Sequence, residues 1–219
     1  MTNEPADFPM TRHHACRIRR TALCLLALVA LVAGCTALQP PRVENPSLYV
    51  LAAEPPRKAS RPHRDAVIEI ALPRAWPGFD TQQMAYVRQP YELEFFAASR
   101  WADTPPRMLG PLLARALEQT ESFRAVVQLP GTVTADLRLD TEIIRLQQNF
   151  AVRPSRAEIA VRVQLTDLRA KRVVAAIVLE EAENAPSEDA VGGVIAANAA
   201  LQRVLERVAD FSIAESAGR

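Results

Sequence analysis

Cysteine and histidine, the side chains that most often do chemistry in proteins, are few in this chain and lie mostly at its start. The 219 residues contain three cysteines and three histidines. Four of these six residues precede position 25, namely Cys16, Cys24, His13 and His14. His63 lies in a proline-rich stretch, where no rigid element would hold it as the base of a serine-histidine-aspartate arrangement. We therefore expect no nucleophilic catalysis and no zinc or other metal site.

Acidic residues form three groups whose spacing could place carboxylates side by side. The groups are Glu92 with Glu94, Asp136 with Asp140, and Glu180 with Glu181 and Glu183. Paired carboxylates can hydrolyse a glycosidic bond, which keeps a hydrolase as an alternative function. Arg138, however, lies between Asp136 and Asp140 on the same strand face, as on an ordinary solvated sheet surface. The pattern therefore favours surface ion pairing over catalysis.

Motifs that bind phosphate groups are missing from the sequence. It contains no G-x-G-x-x-G or G-x-x-x-x-G-K, and its only adjacent glycines, Gly192 and Gly193, fall in or just before a helical stripe. The serine-nucleophile motif G-x-S-x-G is absent as well. Phosphate binding needs several glycines in a loop before a helix, so we expect no nucleotide cofactor. The 26 basic and 25 acidic residues nearly balance. This near-neutral charge gives no electrostatic reason to expect nucleic acid as a partner.

Cys35 is the residue whose surroundings predict a chemical modification. The basic segment Arg17-Ile18-Arg19-Arg20 precedes an apolar run over residues 22–33, and Val32-Ala33-Gly34 stand directly before the cysteine. A basic segment, a short apolar segment and small residues are the layout of a secretory signal peptide. The cysteine that follows makes the segment look like a bacterial lipobox, in which this residue is diacylated and becomes the mature N-terminus. A membrane-spanning helix would need about 20 apolar residues.

Lipidation of Cys35 would tether the rest of the chain to a membrane surface. Each buried methylene contributes about 0.8 kcal/mol, and two or more acyl chains hold a protein stably. Thr36, rather than an aspartate, follows the cysteine, and this favours the periplasmic face of the outer membrane. Translation from Met10 would give a better signal peptide, because Glu4 and Asp7 put acidic charge where such a segment should be basic.

The predicted organisation has three parts. Residues 1–34 form the signal peptide, residues 35–65 a lipidated, proline-rich tether with one short strand, and residues 66–215 the folded domain. Removing the four arginines and two acidic residues that precede Cys35 leaves 22 basic and 23 acidic side chains. The 185 residues from Cys35 onward can bury one proper core, which indicates a single domain.

Hydrophobic periodicity predicts a mixed α+β fold, with one mixed sheet of six to eight strands and two long covering helices. The predicted order is β-β-β-β-α-β-β-β-β-α. The predicted strands cover residues 47–51, 66–72, 83–88, 91–96, 123–129, 135–150, 156–166 and 173–183. One helix is predicted over residues 105–120 with Thr104 as its N-cap, and the other is predicted to begin after Ser187 as N-cap.

Two strands carry additional signals. The apolar parity slips between Ile143 and Ile144, as one extra residue in a strand would cause, which predicts a β-bulge. Residues 173–183 are apolar on both faces at first, which predicts a central position in the sheet.

Most aromatic residues fall within a short interval, and their surroundings separate them into two groups. Phe95 and Trp101 have periodic apolar neighbours and are predicted to lie in the core. Trp76 and Phe79 lie in a loop with Pro77 and Gly78, where large aromatic side chains often contact a partner. We therefore take Trp76 and Phe79 as candidate contact residues.

The order of short motifs along the chain is more specific than any one of them. After the lipobox come Leu48-Tyr49-Val50-Leu51, a strand that ends in Leu72-Pro73, and Arg100-Trp101-Ala102, followed by a proline-led helix and an alanine-rich final helix. Together these segments resemble the ABC-transporter auxiliary lipoproteins of the paraquat-inducible protein C type. The chain departs from that pattern over residues 79–84, where an arginine or another basic residue would be usual.

The resemblance implies a non-catalytic accessory subunit without a cofactor. Its partners would be a periplasmic MCE-domain protein and the associated ABC permease and ATPase, which move phospholipid or other lipids between the inner and outer membranes. The alternatives are an accessory lipoprotein for outer-membrane assembly or secretion, and a periplasmic hydrolase. The transported substrate and a homo-oligomeric state stay open at this point.

Replacing the predicted lipidation site tests the anchor directly. Cys35→Ser should leave the chain unprocessed or release it from the membrane, because serine provides no thiol for acylation. Mass spectrometry of the mature protein should show a diacylated N-terminal cysteine in the wild type. An unmodified Cys35 in the mature chain would disprove the prediction.

Overall fold

The computed structural model describes residues 45–54, 63–131 and 133–218. The predicted signal peptide, Cys35 and most of the predicted tether lie outside these residues. No helix of the described part is long and apolar enough to cross a membrane.

Nine strands and two α-helices make up the regular structure of the described residues. The strands are β1 Ser47–Tyr49, β2 Arg64–Ile70, β3 Arg74–Ala75, β4 Gln83–Val87, β5 Glu94–Trp101, β6 Phe123–Gln128, β7 Leu137–Asn149, β8 Arg156–Asp167 and β9 Arg172–Asn184. The helices are α1 Pro105–Glu118 and α2 Ala190–Glu215, and a 3-10 turn at Ser216–Gly218 follows α2. The predicted mixed α+β class, with one sheet and two helices, is confirmed. Strand β3 was not predicted, because its two residues are too few to show an alternating pattern.

All nine strands belong to one mixed sheet, and β7 lies at its centre. Along one edge, β7 pairs with β2, β3 and β4 in succession, all parallel to it. Along the other edge it pairs with β8 in antiparallel fashion, and β8 pairs in the same way with β9. The sheet continues from β2 to β6, and from β4 through β5 to β1.

The predicted β-bulge is present in β7. The pairing with β8 runs regularly to Ile143 opposite Val161 and resumes with Arg145 opposite Ala160, so Ile144 is the extra residue. The bulge changes which parity faces the helices, and Ile143 and Leu146 are therefore both buried. The slip in the sequence pattern thus had the physical cause that was predicted for it.

The core lies between one face of the sheet and the two helices. The side chains that fill it include Ile68, Ile70, Leu137, Leu139, Val161 and Val163 from the sheet, Leu109, Leu113 and Leu117 from α1, and Leu201, Val204, Leu205 and Val208 from α2. Trp101 is buried among them, as predicted.

The prediction for Phe95 is wrong, because Phe95 is only half-buried and its neighbour Phe96 packs against the core instead. The cause lies in the pairing of β5 with β4. Gln83 pairs with Arg100, whereas Ala85 pairs with Phe95, so β5 has three more residues than β4 over this interval. An odd number of extra residues exchanges the two faces of a strand.

The predicted central position of residues 173–183 is also wrong. Within the described residues β9 pairs with β8 alone and forms an edge of the sheet. Its apolar side chains are correspondingly accessible: Val173 is 51%, Ile177 37% and Val178 43% exposed.

The helix starts differ in detail from the predictions. Thr104 is the N-cap of α1, but its hydroxyl makes no capping hydrogen bond, and prolines occupy the first turn. The N-cap of α2 is Asp189 rather than Ser187: the backbone N–H of Gly192 donates to Asp189 Oδ1 at 2.8 Å. Ser187 Oγ donates to the same oxygen at 2.7 Å and thus supports the cap instead of forming it.

Two helical glycines offer a matched test of this geometry. A Cβ on Gly192 would lie 2.1 Å from the backbone oxygen of Ser187, whereas a Cβ on Gly110 would lie 3.4 Å from Pro73 Cδ. Gly192→Ala should therefore force the α2 cap apart and lower the free energy of unfolding by about 1–3 kcal/mol. Gly110→Ala should be neutral or stabilising by up to about 1 kcal/mol, since alanine favours a helix. Urea unfolding measures both, and equal effects would contradict the described cap.

Candidate functional site

The loop between β3 and β4, residues 76–82, presents one aromatic side chain at the surface and packs another against the core. We call it the Trp76 loop. The backbone N–H of Trp76 donates to the carbonyl of Ile143 at 2.9 Å, and the N–H of Phe79 donates to the carbonyl of Trp76 at 3.0 Å. Trp76 is 44% exposed, whereas Phe79 is half-buried and packs against the core. The loop therefore holds Trp76 at the surface on a base that Phe79 anchors.

A left-handed turn at Gly78 fixes the shape of this loop. Its φ is +93°, a conformation that side chains other than glycine rarely adopt, and a Cβ there would lie 2.9 Å from Leu93 Cδ2. The positive φ favours glycine at this position, whereas the tip of the Leu93 side chain could move aside. The geometry of the Trp76 loop is thus set by its backbone as well as by packing.

The acidic groups singled out in the sequence are engaged with neighbours. Asp136 accepts a hydrogen bond from the backbone N–H of Val67 at 2.8 Å and forms ion pairs with Arg124 and Arg169. The Tyr86 hydroxyl donates to Glu94 Oε2 at 2.8 Å. Burial raises the pKa of Asp140 above its usual value, and nearby arginines oppose this effect. These surroundings fit structural ion pairing.

The third acidic group connects β9 to α2. Arg203 Nε donates to Glu181 Oε2 at 3.0 Å, and Arg207 Nη1 donates to Glu181 Oε1 at 2.7 Å. Glu183 forms a further ion pair with Arg203 at 2.9 Å. Burial raises the pKa of Glu181, but the hydrogen bonds from Arg207 and Arg203 outweigh it, so the pKa lies below its usual value. The group clamps the last helix onto the sheet.

Among the described residues, no acidic side chain forms a hydrogen bond with His63. Its Nδ1 lies 3.3 Å from the carbonyl oxygen of Glu121 on an exposed stretch of chain. Among the residues that the structure describes, no three histidine, cysteine or acidic side chains converge as metal ligands would.

An aromatic cleft that the sequence did not reveal lies beside β4 and β5. Its rings are Tyr86, Phe95, Phe96 and Phe150, which line an open cavity of about 500 Å³. The rings of Tyr86 and Phe96 lie 4.7 Å apart, and Phe150 meets Tyr86 edge-on at 5.7 Å. Phe150 is distant from the others in sequence and reaches them because β4 runs parallel to the end of β7. The residue pattern carried no signal for this meeting.

Charged groups border the aromatic cleft. The Arg88 guanidinium carbon lies 5.0 Å from the centre of the Tyr86 ring, and Arg153 and Glu188 also line the cavity. The hydrogen bond to Glu94 raises the pKa of Tyr86, and burial adds to that effect. Tyr86 is therefore a hydrogen-bond donor at neutral pH. A cleft with aromatic walls and a charged rim suits contact with an amphipathic surface.

Comparison with known protein families identifies the domain. A family model described as the ABC-type transport auxiliary lipoprotein component matches residues 49–209. The chain belongs to this family. The resemblance noted in the sequence is confirmed. This is a family of auxiliary transport lipoproteins and not a known enzyme family, and its description indicates a membrane-anchored location on the periplasmic side.

Solved structures share the fold of this auxiliary lipoprotein at low sequence identity. Protein XCC0632 from Xanthomonas campestris is 21% identical with a TM-score of 0.71, covering 77% of this chain and 96% of its own. An uncharacterized protein is 11% identical with a TM-score of 0.61, covering 77% and 99%. The hypothetical protein CT253 from Chlamydia trachomatis is 9% identical with a TM-score of 0.50, covering 71% and 100%. A search of curated proteins finds no match to the sequence.

The clamp between Glu181 and the two arginines predicts a dependence of stability on pH. A carboxyl group with a lowered pKa in the folded state adds stability that is fully present above its unfolded pKa, and this stability is lost as the pH falls through the folded pKa. Glu181, whose side chain is 18% exposed, should follow this rule. Glu181→Gln should lower the free energy of unfolding at pH 7 by about 1 kcal/mol.

The measurement is urea unfolding of the wild type and the variant between pH 7 and pH 3. The difference should shrink below about pH 4.5, the usual pKa of a glutamate, as the wild-type carboxylate becomes protonated. Glu180→Gln, at an exposed position next along β9, is the control and should show little difference at pH 7. A difference for Glu181→Gln that stays constant down to pH 3 would contradict the clamp.

Proposed function

We propose that this auxiliary lipoprotein is a non-catalytic component of an MCE-type ABC transport system. In this proposal acylated Cys35 holds it at the periplasmic face of the outer membrane, and the system moves lipids between the inner and outer membranes. The observation that carries the proposal is the match of residues 49–209 to the family of ABC-type transport auxiliary lipoproteins. The ion-paired acidic groups support a binding role over a catalytic one.

The position of the first strand supports a role as a tethered module. β1 begins at Ser47, twelve residues after Cys35, and extended chain spans about 3.3–3.6 Å per residue. The domain can therefore stand at most about 40 Å from its anchor. This reach requires a partner from the opposite membrane to supply the rest of the distance across the periplasm.

The Trp76 loop is the proposed contact with that partner. Trp76 presents rigid aromatic area at low cost in side-chain entropy, and such residues dominate the binding energy of many interfaces. Phe79, the second candidate, packs against the core. In this proposal Phe79 acts through the loop conformation, whereas Trp76 makes the contact.

Affinity capture from detergent-solubilised envelopes tests the function and the contact together. The wild-type chain should recover an MCE-domain protein. Trp76→Ala should weaken the partner's binding about 30-fold, because loss of a central tryptophan costs about 2 kcal/mol or more. Its melting temperature should change little, whereas Phe79→Ala should lower the melting temperature because it opens the core.

Ile195→Ala is the matched control, since it removes an apolar side chain that is 53% exposed on α2. It should leave both the recovery and the melting temperature unchanged. Equal recovery by wild type and Trp76→Ala would place the interface elsewhere. Recovery of a β-barrel assembly or secretion protein, with no MCE-domain protein, would overturn the proposed function.

A further inference from the structure

The chain enters the described fold beside the aromatic cleft. β1 pairs in parallel with β5, so that Ser47 lies opposite Ser99 and Tyr49 opposite Trp101. Because the two strands run in the same direction, the chain before Ser47 arrives from the side on which β5 begins. Residues 95–97 lie on that side of Ser99 and line the cleft. The part of the tether next to β1 therefore lies close to the cleft.

Helix α2 indicates the same direction independently of β5. Asn198 donates a hydrogen bond to the carbonyl of Val50, directly after β1, at 3.2 Å. Five residues earlier, a Cβ on Gly193 would lie 2.1 Å from the amide oxygen of Gln148, which is the partner of a cleft residue in β4. Glu188, just before α2, lines the cleft itself. Going back along the helix from Asn198 thus leads to the cleft over about 15 Å.

The sequence just before β1 has the composition that aromatic clefts bind. It reads Gln39-Pro40-Pro41-Arg42-Val43-Glu44 and lies outside the described residues. Consecutive prolines favour the polyproline II conformation, which is preformed and loses little entropy on an aromatic surface. Proline rings on aromatic faces need no ladder of backbone hydrogen bonds. Such a contact therefore fits the start of β5, whose pairing with β4 is irregular.

We propose that residues 40–44 of this chain bind in the aromatic cleft of the same molecule. The two prolines pack against the aromatic walls of the cleft, and the chain then continues directly into β1. The inference does not depend on the proposed transport function. It rests on the cleft, on the direction in which the chain reaches β1 and on the proline-rich sequence at that place.

Covalent attachment favours this segment over an external ligand. A segment joined to its binding site by a short linker has an effective concentration in the millimolar range, which a free ligand has to exceed. The charges also match, because the segment carries Arg42 and Glu44 and the rim of the cleft carries Arg88, Arg153 and Glu188. Oppositely charged partners are thus present for both charged residues of the segment.

Binding in the cleft would hold the domain closer to its anchor. This consequence, unlike the binding itself, rests on the proposed acylation of Cys35. Twelve residues separate Cys35 from Ser47, but only five separate it from Pro40. At about 3.3–3.6 Å per residue, the maximum reach falls from about 40 Å to about 17 Å. The end of the domain that carries the cleft would then face the membrane.

Photo-cross-linking of the full chain in the intact envelope tests the binding. Phe95 is replaced by p-benzoyl-phenylalanine, which keeps an aromatic ring in the cleft and bonds covalently to C–H groups that it contacts. Mass spectrometry of the digested monomer should find this residue joined to residues 40–44. The same replacement at Tyr91, which is fully exposed in the turn between β4 and β5, is the control and should give no link to the segment.

Limited proteolysis of the detergent-solubilised chain provides the second measurement. Trypsin can cleave after Arg42 and after Arg57, and two prolines precede each of these residues. Phe95→Ala should speed cleavage after Arg42 about tenfold, because loss of one wall of the cleft releases the segment. Cleavage after Arg57 is the internal reference and should keep its rate, which also shows that the variant is folded. Tyr91→Ala should change neither rate.

Three outcomes would overturn the proposal. The first is no link from position 95 to residues 40–44 within one chain. The second is a link from position 95 to a lipid, to another protein or to a second copy, the last of which would appear as a covalent dimer. The third is an equal rate of cleavage after Arg42 in the wild type and Phe95→Ala. None of these outcomes depends on recovery of an MCE-domain protein, so a failure of the proposed function would be seen separately.

Discussion

The pairing of β7 with its neighbours is the constraint on which the rest of this structure depends. This strand of 13 residues carries three parallel strands on one edge and the β8–β9 hairpin on the other. The two halves of the sheet meet nowhere else within the described residues, so the register of β7 sets both. The bulge at Ile144 lets β7 pair along its whole length. Because one residue is extra, the apolar side chains on both sides of the bulge face the helices.

Features that depend on side-chain alternation within a strand or helix could be predicted from the sequence. Features that depend on which strands pair with each other could not. The bulge, the helices and the burial of Trp101 each left a periodic signal. The edge position of β9 left none, because a strand's own residues show which faces are apolar but not how many strands flank it. The packing of Phe96, instead of Phe95, against the core has the same origin. It follows from the extra residues that β5 has relative to its partner strand β4. In the aromatic cleft, Phe150 meets the other rings only because β4 pairs with the end of β7, and the sequence gives no sign of that pairing.

The acidic residues illustrate how side chains that suggest chemistry in a sequence can form ion pairs and hydrogen bonds in the fold. Asp136 and Glu181 each lie between two arginines, and Glu94 holds the Tyr86 hydroxyl. Such pairs fix geometry at little net gain in free energy when they lie near the surface. This geometry matters for the proposed binding role because a contact surface must be rigid. The Trp76 loop, the proposed contact, is rigid in this sense because it has a glycine turn and because Phe79 packs against the core.

The parallel attachment of β2, β3 and β4 to β7 also has a consequence for the order of folding. All strands before residue 129 reach the rest of the sheet through a partner that is synthesised later, at residues 137–149. A chain that emerges from its N-terminus therefore exposes strand edges and apolar faces until more than two thirds of it has appeared. Long-range pairing of this kind slows folding and leaves intermediates open to aggregation. A protein built in this way keeps its apolar faces exposed until β7 has joined the sheet.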